Sequence, residues 1–127
     1  MIGYTTLGTS DLERARRFYD AVLAPLGGKR ALDYERSTYF SGPGRGAMLG
    51  LTLPYDGEAA SAGNGVMVAL NAQSDAAVDQ AHAVAIAAGG ACEGPPGQRG
   101  DFFYAAYFRD LDGNKLCVFR FPEARGP

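Results

Sequence analysis

The chain repeats one pattern of secondary structure, and this repeat constrains the fold more than any other feature of the sequence. In the first half an apolar stretch leads into Ser10, and a helical pattern follows that closes at Gly27-Gly28. In the second half an apolar stretch leads into Ser74, and a helical pattern follows that closes at Gly89-Gly90. Each feature of the second half follows its counterpart by about half the chain length, so the sequence predicts a duplicated unit.

Local signals support one helix in each half. Ser10 and Glu13 have the spacing of a capping box, and Pro25 limits how far the first helix extends. Ser74 is predicted to cap the second helix, whose buried stripe consists mainly of alanine. Paired glycines suit the left-handed backbone that ends a helix.

Each helix is followed by three segments of strand character. They cover 31–35, 37–40 and 47–53 in the first half, and 90–93, 102–109 and 115–121 in the second. With the leading strands at 2–7 and 66–70, each half reads βαβββ, which predicts an α+β fold. We expect one domain, with repeat one at 1–53, a linker at 54–64, repeat two at 65–121 and a frayed tail at 122–127.

Composition excludes several classes of protein. The 12 Lys and Arg against 14 Asp and Glu give a net charge of −2, and the basic residues are scattered. We therefore expect no nucleic-acid partner and no anionic membrane surface. No apolar run is long enough to span a bilayer, and the polar N-terminal sequence has no signal-peptide pattern. We expect a cytoplasmic protein whose Cys92 and Cys117 stay reduced.

Several motifs resemble one family when they are taken in order. They are the segments 7–20 (LGTSDLERARRFYD), 53–57 (LPYDG), 63–66 (GNGV), 104–108 (YAAYF) and 110–114 (DLDGN). On the duplicated pattern they resemble the vicinal oxygen chelate superfamily, which includes glyoxalase I, extradiol dioxygenases and bleomycin resistance proteins. The resemblance covers almost the whole chain. It implies a curved mixed sheet around a cleft, helices on the outside, and a homodimer whose clefts form where two chains meet.

The resemblance also points to four positions that hold a metal in metal-using members, where the ligands are His, Gln or Glu. The matching residues here are Tyr4, Gly50, Met67 and Cys117. All four positions have lost the His, Gln or Glu of the family pattern, and the four residues together cannot make a Zn²⁺, Ni²⁺, Mn²⁺ or Fe²⁺ site. Met67 and Cys117 are soft donors of the kind that Cu(I) accepts, but lining a cavity is the simpler role. We therefore expect no metal and no other cofactor.

Few other residues could carry chemistry. His82 is the single histidine and lies in the second helix, where a structural or solvent-facing role is more common than catalysis. Cys117 as a nucleophile would need a base or a positive field, so a buried structural thiol is the favoured interpretation. Cys92 is expected in the core. Arg109 is a candidate for binding an anionic ligand, and an ion pair with a neighbouring acid is the alternative.

These observations lead to three hypotheses. The first, which we favour, is a metal-free protein that binds a small organic molecule in an aromatic-lined cleft. The expected cleft residues are Tyr4, Met67, Cys117, Gly50, Phe40, Tyr107 and Arg109. The second is a metal-dependent lyase or dioxygenase whose ligands follow from a different strand register or lie elsewhere, or a metal-free enzyme that uses Tyr4 or Cys117 as acid or base. The third is a structural or regulatory partner domain with a vestigial cleft.

Overall fold

Two βαβββ units follow one another in the computed structural model, which describes residues 1–121. The elements are β1 Tyr4–Gly8, α1 Leu12–Leu23, β2 Lys29–Asp33, β3 Ser37–Ser41, β4 Met48–Thr52, β5 Val68–Asn71, α2 Asp75–Ala87, β6 Ala91–Arg99, β7 Phe103–Arg109 and β8 Lys115–Arg120. A 3₁₀ turn, Ala24–Leu26, continues α1. The predicted α+β class and the duplicated unit are both confirmed. The tail predicted from residue 122 lies outside the described residues.

The strands form two sheets of identical topology. The N-sheet has the order β1-β4-β3-β2 and the C-sheet the order β5-β8-β7-β6. In each sheet the edge strand that begins the unit runs parallel to the last strand of the unit, and all other pairs are antiparallel. The curved mixed sheet expected from the sequence is therefore built as two four-stranded sheets.

The first helix begins one residue later than the sequence predicts. The carboxylate of Asp11 accepts the backbone N–H of Arg14 at 3.1 Å, so Asp11 rather than Ser10 is the N-cap. The Ser10 hydroxyl instead accepts the N–H of Ala60 at 2.9 Å, which ties the linker to the start of the helix. The helix ends at a 3₁₀ turn containing Pro25, and Gly27 adopts a left-handed φ of 77°.

The second helix begins as predicted. The Ser74 hydroxyl accepts the N–H of Ala77 at 3.1 Å. The buried face of α2 consists mostly of small residues, so the helix lies close to its sheet. The turn after α2 is equally tight: a Cβ on Gly90 would lie 2.7 Å from the carbonyl oxygen of Arg109 and 2.8 Å from that of Ala85, so only glycine fits there.

One hydrophobic core joins the two units. Helix α1 packs on the N-sheet, α2 packs on the C-sheet, and the two helices pack on each other. The core contains apolar residues from both helices and from the helix-covered faces of both sheets, among them Phe18, Val22, Phe40, Leu51, Val78, Phe108 and Val118. Each sheet therefore has one face covered by a helix. The opposite face carries no helix, and we call it the open face of that sheet.

Strand β6 is longer than the sequence predicts. The expected segment was 90–93, whereas the strand runs from Ala91 to Arg99 through Pro95 and Pro96. Its pairing with β7 is irregular between Cys92 and Gly97, and β6 is the outer strand of the C-sheet. Proline is tolerated at such an edge because no ladder hydrogen bond is lost there. No helix among the described residues is long and apolar enough to cross a membrane.

Candidate functional site

The open faces of the two sheets hold most of the residues that the sequence singled out. Alternation along the strands places Tyr4 and Gly50 on the open face of the N-sheet, and Tyr107, Arg109 and Cys117 on that of the C-sheet. Met67 directly precedes β5 and is 44% exposed. The four positions to which the resemblance points are thus divided between the sheets: two lie in the N-sheet, and two lie in or directly before strands of the C-sheet.

Phe40 lies elsewhere, which corrects its expected place beside the cleft residues. Its neighbours Tyr39 and Ser41 point to the open face, so Phe40 points to the helix-covered face, where it is 2% exposed and packs against Tyr19. Phe40 therefore does not share a face with Gly50, as its place among the expected cleft residues required. Tyr39 is the one that belongs to the open face.

On the N-sheet, the ring of Tyr39 occupies the space above Gly50. The two residues are paired across β3 and β4. A Cβ on Gly50 would lie 2.6 Å from Cε2 of Tyr39 and 3.1 Å from the carbonyl oxygen of Thr5. Tyr39 also packs edge-on against Tyr4, with ring centroids 5.3 Å apart, and against Tyr34 at 6.2 Å. A glutamate at position 50 would therefore have no room unless this group of tyrosines moved.

On the C-sheet, Tyr107 has the same relation to Cys117. The two residues are paired across β7 and β8, as Tyr39 and Gly50 are across β3 and β4. Cys117 is only 2% exposed although it belongs to the open face. Burial, and then its interaction with Cys117, raise the pKa of Tyr107. In both halves a tyrosine of the neighbouring strand lies at the last metal-ligand position.

The thiol of Cys117 is a weak nucleophile in this setting. Burial raises its pKa, and this outweighs the lowering effects of Tyr107, Arg99 and Lys115. The group therefore stays a thiol at neutral pH, which agrees with the buried structural role expected from the sequence. Cys92 differs from the expectation: it is exposed on the irregular edge strand β6 instead of lying in the core.

Positive charge surrounds Tyr107. The guanidinium of Arg99 lies 5.5 Å from the centroid of its ring, and the Lys115 ammonium lies 5.7 Å from it. Arg99 donates to the carbonyl oxygen of Pro95 at 2.6 Å. Among the ion pairs of residues 1–121, none contains Arg99 or Lys115. The open face of the C-sheet therefore offers two cations that form no ion pair in the described part of the chain, although the charge of Lys115 also helps to lower the pKa of Glu93.

Arg109 forms the ion pair that was the alternative to ligand binding. Its Nε donates to Oε1 of Glu93 at 2.6 Å, and its Nη1 donates to the carbonyl oxygen of Gly113 at 3.0 Å. The hydrogen bond from Arg109, and then its charge, lower the pKa of Glu93. Arg109 thus holds β6 to the β7–β8 turn, and its charge is balanced within the chain.

The single histidine lies away from the open faces. His82 is 8% exposed on the buried side of α2, and its Nε2 atom is buried without a hydrogen-bond partner among the described residues. The pKa of His82 is lowered, because the effect of burial is larger than the two effects that raise it. Those two are the charge of Asp79 and a hydrogen bond with the backbone of Tyr107. His82 is therefore a buried residue of α2, which fits the structural role favoured from the sequence over catalysis.

Three residues of the open faces were not predicted from the sequence. Tyr39, Arg99 and Lys115 complete the surroundings of the ligand positions, but their importance depends on cross-strand pairing. The signal that could have found Tyr39 is its place opposite Gly50, once the register of β3 and β4 is known. Within residues 1–121, no group of three or more His, Cys, Asp or Glu side chains is placed to hold a metal ion.

Comparisons with known proteins agree on one family. The family model described as Glyoxalase/Bleomycin resistance protein/Dioxygenase superfamily matches residues 1–118. A glyoxalase/bleomycin resistance protein from Albidiferax ferrireducens T118 has 39% sequence identity and a TM-score of 0.88, with 96% of this chain and 99% of that chain covered.

Two further solved structures have lower identity. A lactoylglutathione lyase from Agrobacterium tumefaciens is 26% identical, with a TM-score of 0.67 and coverage of 94% of this chain and 92% of that one. A glyoxalase-related enzyme from Fulvimarina pelagi shares the fold at 22% identity and a TM-score of 0.76, with 96% and 88% covered. The comparison with curated proteins gives no match.

Proposed function

Because the chain belongs to the Glyoxalase/Bleomycin resistance protein/Dioxygenase superfamily, we propose that it binds a small organic molecule between open sheet faces without a divalent metal. The observation that carries the proposal is the pair of tyrosines at the ligand positions. Tyr39 fills the space above Gly50, and Tyr107 lies across from the buried Cys117. Aromatic rings stand where metal-using relatives would place metal ligands.

The donor set does not fit a hard metal. Of the four positions, Gly50 has no side chain, Met67 offers a thioether, Tyr4 a phenol, and Cys117 a buried thiol whose pKa is raised by burial. Zinc, manganese and iron(II) in such sites take imidazole and carboxylate ligands. An acidic side chain at position 50 in place of Gly50 would displace the ring of Tyr39. We therefore derive no reaction step through a metal in this protein.

The residues on the open faces favour a particular kind of ligand. Tyr4, Tyr34 and Tyr39 form a connected aromatic surface on the N-sheet. On the C-sheet, Arg99 and Lys115 flank Tyr107. Rings bind flat apolar or aromatic molecules, and cations that form no ion pair can bind anionic groups. The proposed ligand is a small aromatic molecule with an acidic group.

A second copy of the chain would complete the cleft. The open faces leave Tyr4 and Met67 more than two-fifths exposed, which is unusual for large apolar side chains at the centre of a proposed site. Pairing the N-sheet of one chain with the C-sheet of another would bury both surfaces and form two equivalent clefts. We propose a homodimer with this arrangement, and a cytoplasmic location in which the thiols of Cys92 and Cys117 stay reduced.

The test uses 8-anilino-1-naphthalenesulfonate, an aromatic anion that fluoresces in apolar sites. We expect saturable binding that persists after dialysis against EDTA. Tyr107→Ala and Tyr39→Ala should each weaken dye binding about fivefold or more, because each removes a ring from the proposed cleft. Tyr55→Ala is the matched control, since Tyr55 is fully exposed in the linker. Equal dye affinity in all three variants, or loss of binding with EDTA, would contradict the proposal.

A further inference from the structure

We propose a second ligand site, separate from the open faces: a cavity between the β3–β4 turn and the end of β5 that binds a small organic carboxylate. Its volume is about 390 Å³, within the range of small-molecule sites. The glycine-rich turn 42–46 forms one wall, and residues 69–73 form the opposite wall. Leu23, Phe40 and Leu49 belong to its apolar floor.

The internal repeat provides a comparison for this cavity, because the equivalent position in the other half of the molecule is filled by side chains of the chain itself. Four buried residues of α1 correspond to four of α2, with Tyr19 matching His82 and Phe18 matching Ala81. The strand registers match as well, because Tyr39–Gly50 and Tyr107–Cys117 are equivalent pairs. The turn at 42–47 therefore corresponds to the turn at 110–114.

Side chains of the second turn fill the corresponding place. The Tyr19 hydroxyl donates to Oδ2 of Asp110 at 2.6 Å, and the amide of Asn114 donates to the carbonyl oxygen of Gly8 at 2.9 Å. Asp112 accepts the backbone N–H of Ser10 at 3.0 Å. Asp110 and Asn114 are each 7% exposed. The space between this turn and the end of β1 is thus closed by four side chains: those of Asp110, Asp112, Asn114 and Tyr19.

On the turn side of the cavity none of these groups has a counterpart. Apart from Pro43 and Arg45, the turn consists of Gly42, Gly44, Gly46 and Ala47, which have no polar side chain. Asn71 and Gln73 correspond to Gly8 and Ser10, the residues that Asn114 and Asp112 contact in the other half, and both line the cavity. His82 replaces Tyr19 and is not among the lining residues. The cavity is thus the position at which the first half lacks the side chains that fill the equivalent space in the second half.

The chemistry of the lining indicates the class of ligand. Arg45 lines the cavity and forms no ion pair or hydrogen bond within residues 1–121. In the filled counterpart, carboxylates accept the hydrogen bonds that link the turn to β1 and α1. A small organic carboxylate would supply the two missing parts. Its carboxylate would pair with Arg45, and its hydrocarbon part would lie on the apolar floor of leucine and phenylalanine side chains.

This site does not depend on the proposed function. The cavity reaches Phe40 and Leu49, which lie on the helix-covered face of the N-sheet, whereas Tyr39 and Gly50 lie on its open face. Of the residues around Tyr107, neither Arg99 nor Lys115 lines the cavity. Either site could fail its test while the other passed.

The test is a titration of the ¹⁵N-labelled full chain with 4-ethylbenzoate, followed by amide chemical shifts. We expect saturable shifts of the turn 42–46 and residues 69–73. Because 4-ethylbenzoate is also an aromatic acid, a separate set of shifts around Tyr107 would report the open-face site and leave this expectation unchanged. Arg45→Gln should weaken binding about tenfold, the loss of one charge-assisted interaction. Gly42→Leu places an apolar side chain at the lining of the cavity and should weaken the shifts. A Cβ at this position meets no atom within 4 Å, so its first carbon does not collide with a neighbour.

Matched controls are Arg17→Gln, which removes an exposed arginine of α1, and Gly3→Leu, which adds the same side chain at another open glycine. Both should bind like the unmodified chain, and the neutral 4-ethylbenzamide should bind more weakly than the carboxylate. The proposal is overturned if no saturable shifts occur. It is also overturned if shifts occur only around Tyr107 and Cys117, or if Gly42→Leu binds like Gly3→Leu.

Discussion

Asp110 connects the two halves of the molecule through a single carboxylate. It accepts the Tyr19 hydroxyl from α1, the backbone N–H groups of Asp112 and Asn114, and the side-chain amide of Asn114. Burial, followed by the charge of Asp110, raises the pKa of Tyr19, so its hydroxyl remains a donor. Buried networks of this kind stabilise a fold only while every member is satisfied.

Removing that carboxylate should therefore be costly. We expect Asp110→Ala to lower the free energy of unfolding by about 2–4 kcal/mol, because several buried donors lose their acceptor. Tyr19→Phe should cost about 1–2 kcal/mol, and the double variant should cost less than the sum of the two. Urea unfolding measures these values, with Asp56→Ala in the linker as the control. Additive costs would show that the two side chains are not coupled.

His82 gives the chain a pH dependence of known sign. Burial lowers its pKa, so the unfolded chain binds a proton more readily than the folded chain near the ordinary pKa of histidine. Stability should therefore fall as the pH falls from about 7.5 to 5.5, below the unfolded pKa of about 6.5. Because His82 is the only histidine, His82→Leu should flatten this part of the stability profile. An unchanged profile would contradict the assignment.

Among the elements, the helices and the turns were the most predictable. The Ser74 cap and the α1 stop near Pro25 depend on neighbours in sequence. The Ser10 cap was wrong because the linker, distant in sequence, takes its hydroxyl. The length of β6 was underestimated, because the strand continues through two prolines that its unpaired edge tolerates. Local chemistry could be predicted from the sequence, and contacts between distant segments could not.

The candidate site illustrates the same limit. The four ligand positions could be found by resemblance, but what occupies the space around them could not. Tyr39 rather than Phe40 faces Gly50 because of the register between β3 and β4. A shift of one residue exchanges the two faces of a strand. The positions could therefore be predicted from the sequence, whereas the aromatic residue beside Gly50 depends on the strand register.

The capping of α2 should have a measurable effect. Ser74→Ala removes the acceptor for the Ala77 N–H and should lower the free energy of unfolding by about 1 kcal/mol. Ser74→Asp should restore most of the loss, since aspartate is also a good N-cap. The control is Ser61→Ala, an exposed serine of the linker. A loss no larger than that of the control, measured by urea unfolding, would contradict the role of the cap.

The packing of β3 on β4 makes Gly50 sensitive to any side chain. We expect Gly50→Ala to lower the free energy of unfolding by about 1–3 kcal/mol, because the new Cβ would collide with the ring of Tyr39. With Tyr39→Ala already present, the same change should cost clearly less. Gly3→Ala is the control, since nothing lies within 4 Å of its Cβ. Equal costs with and without the ring would refute this account of the tyrosine.

At the scale of the whole molecule, duplication explains both what is shared and what differs between the halves. The shared part is the βαβββ unit, its helix on one face of the sheet, and a tyrosine at the last ligand position. The difference lies in the turns: one is closed by Asp110 and Asn114, and the other is lined by glycines beside a cavity. In the proposed homodimer, a second chain covers the open faces.

The most direct test of this account is native mass spectrometry of protein purified without chelators or affinity metals. One spectrum reports the number of chains, any bound metal and any retained organic molecule. The account predicts twice the 13.4 kDa chain mass without a stoichiometric divalent metal, with or without a small organic ligand. One divalent metal ion per chain would contradict the metal-free site, and a monomer at all concentrations would contradict the shared cleft.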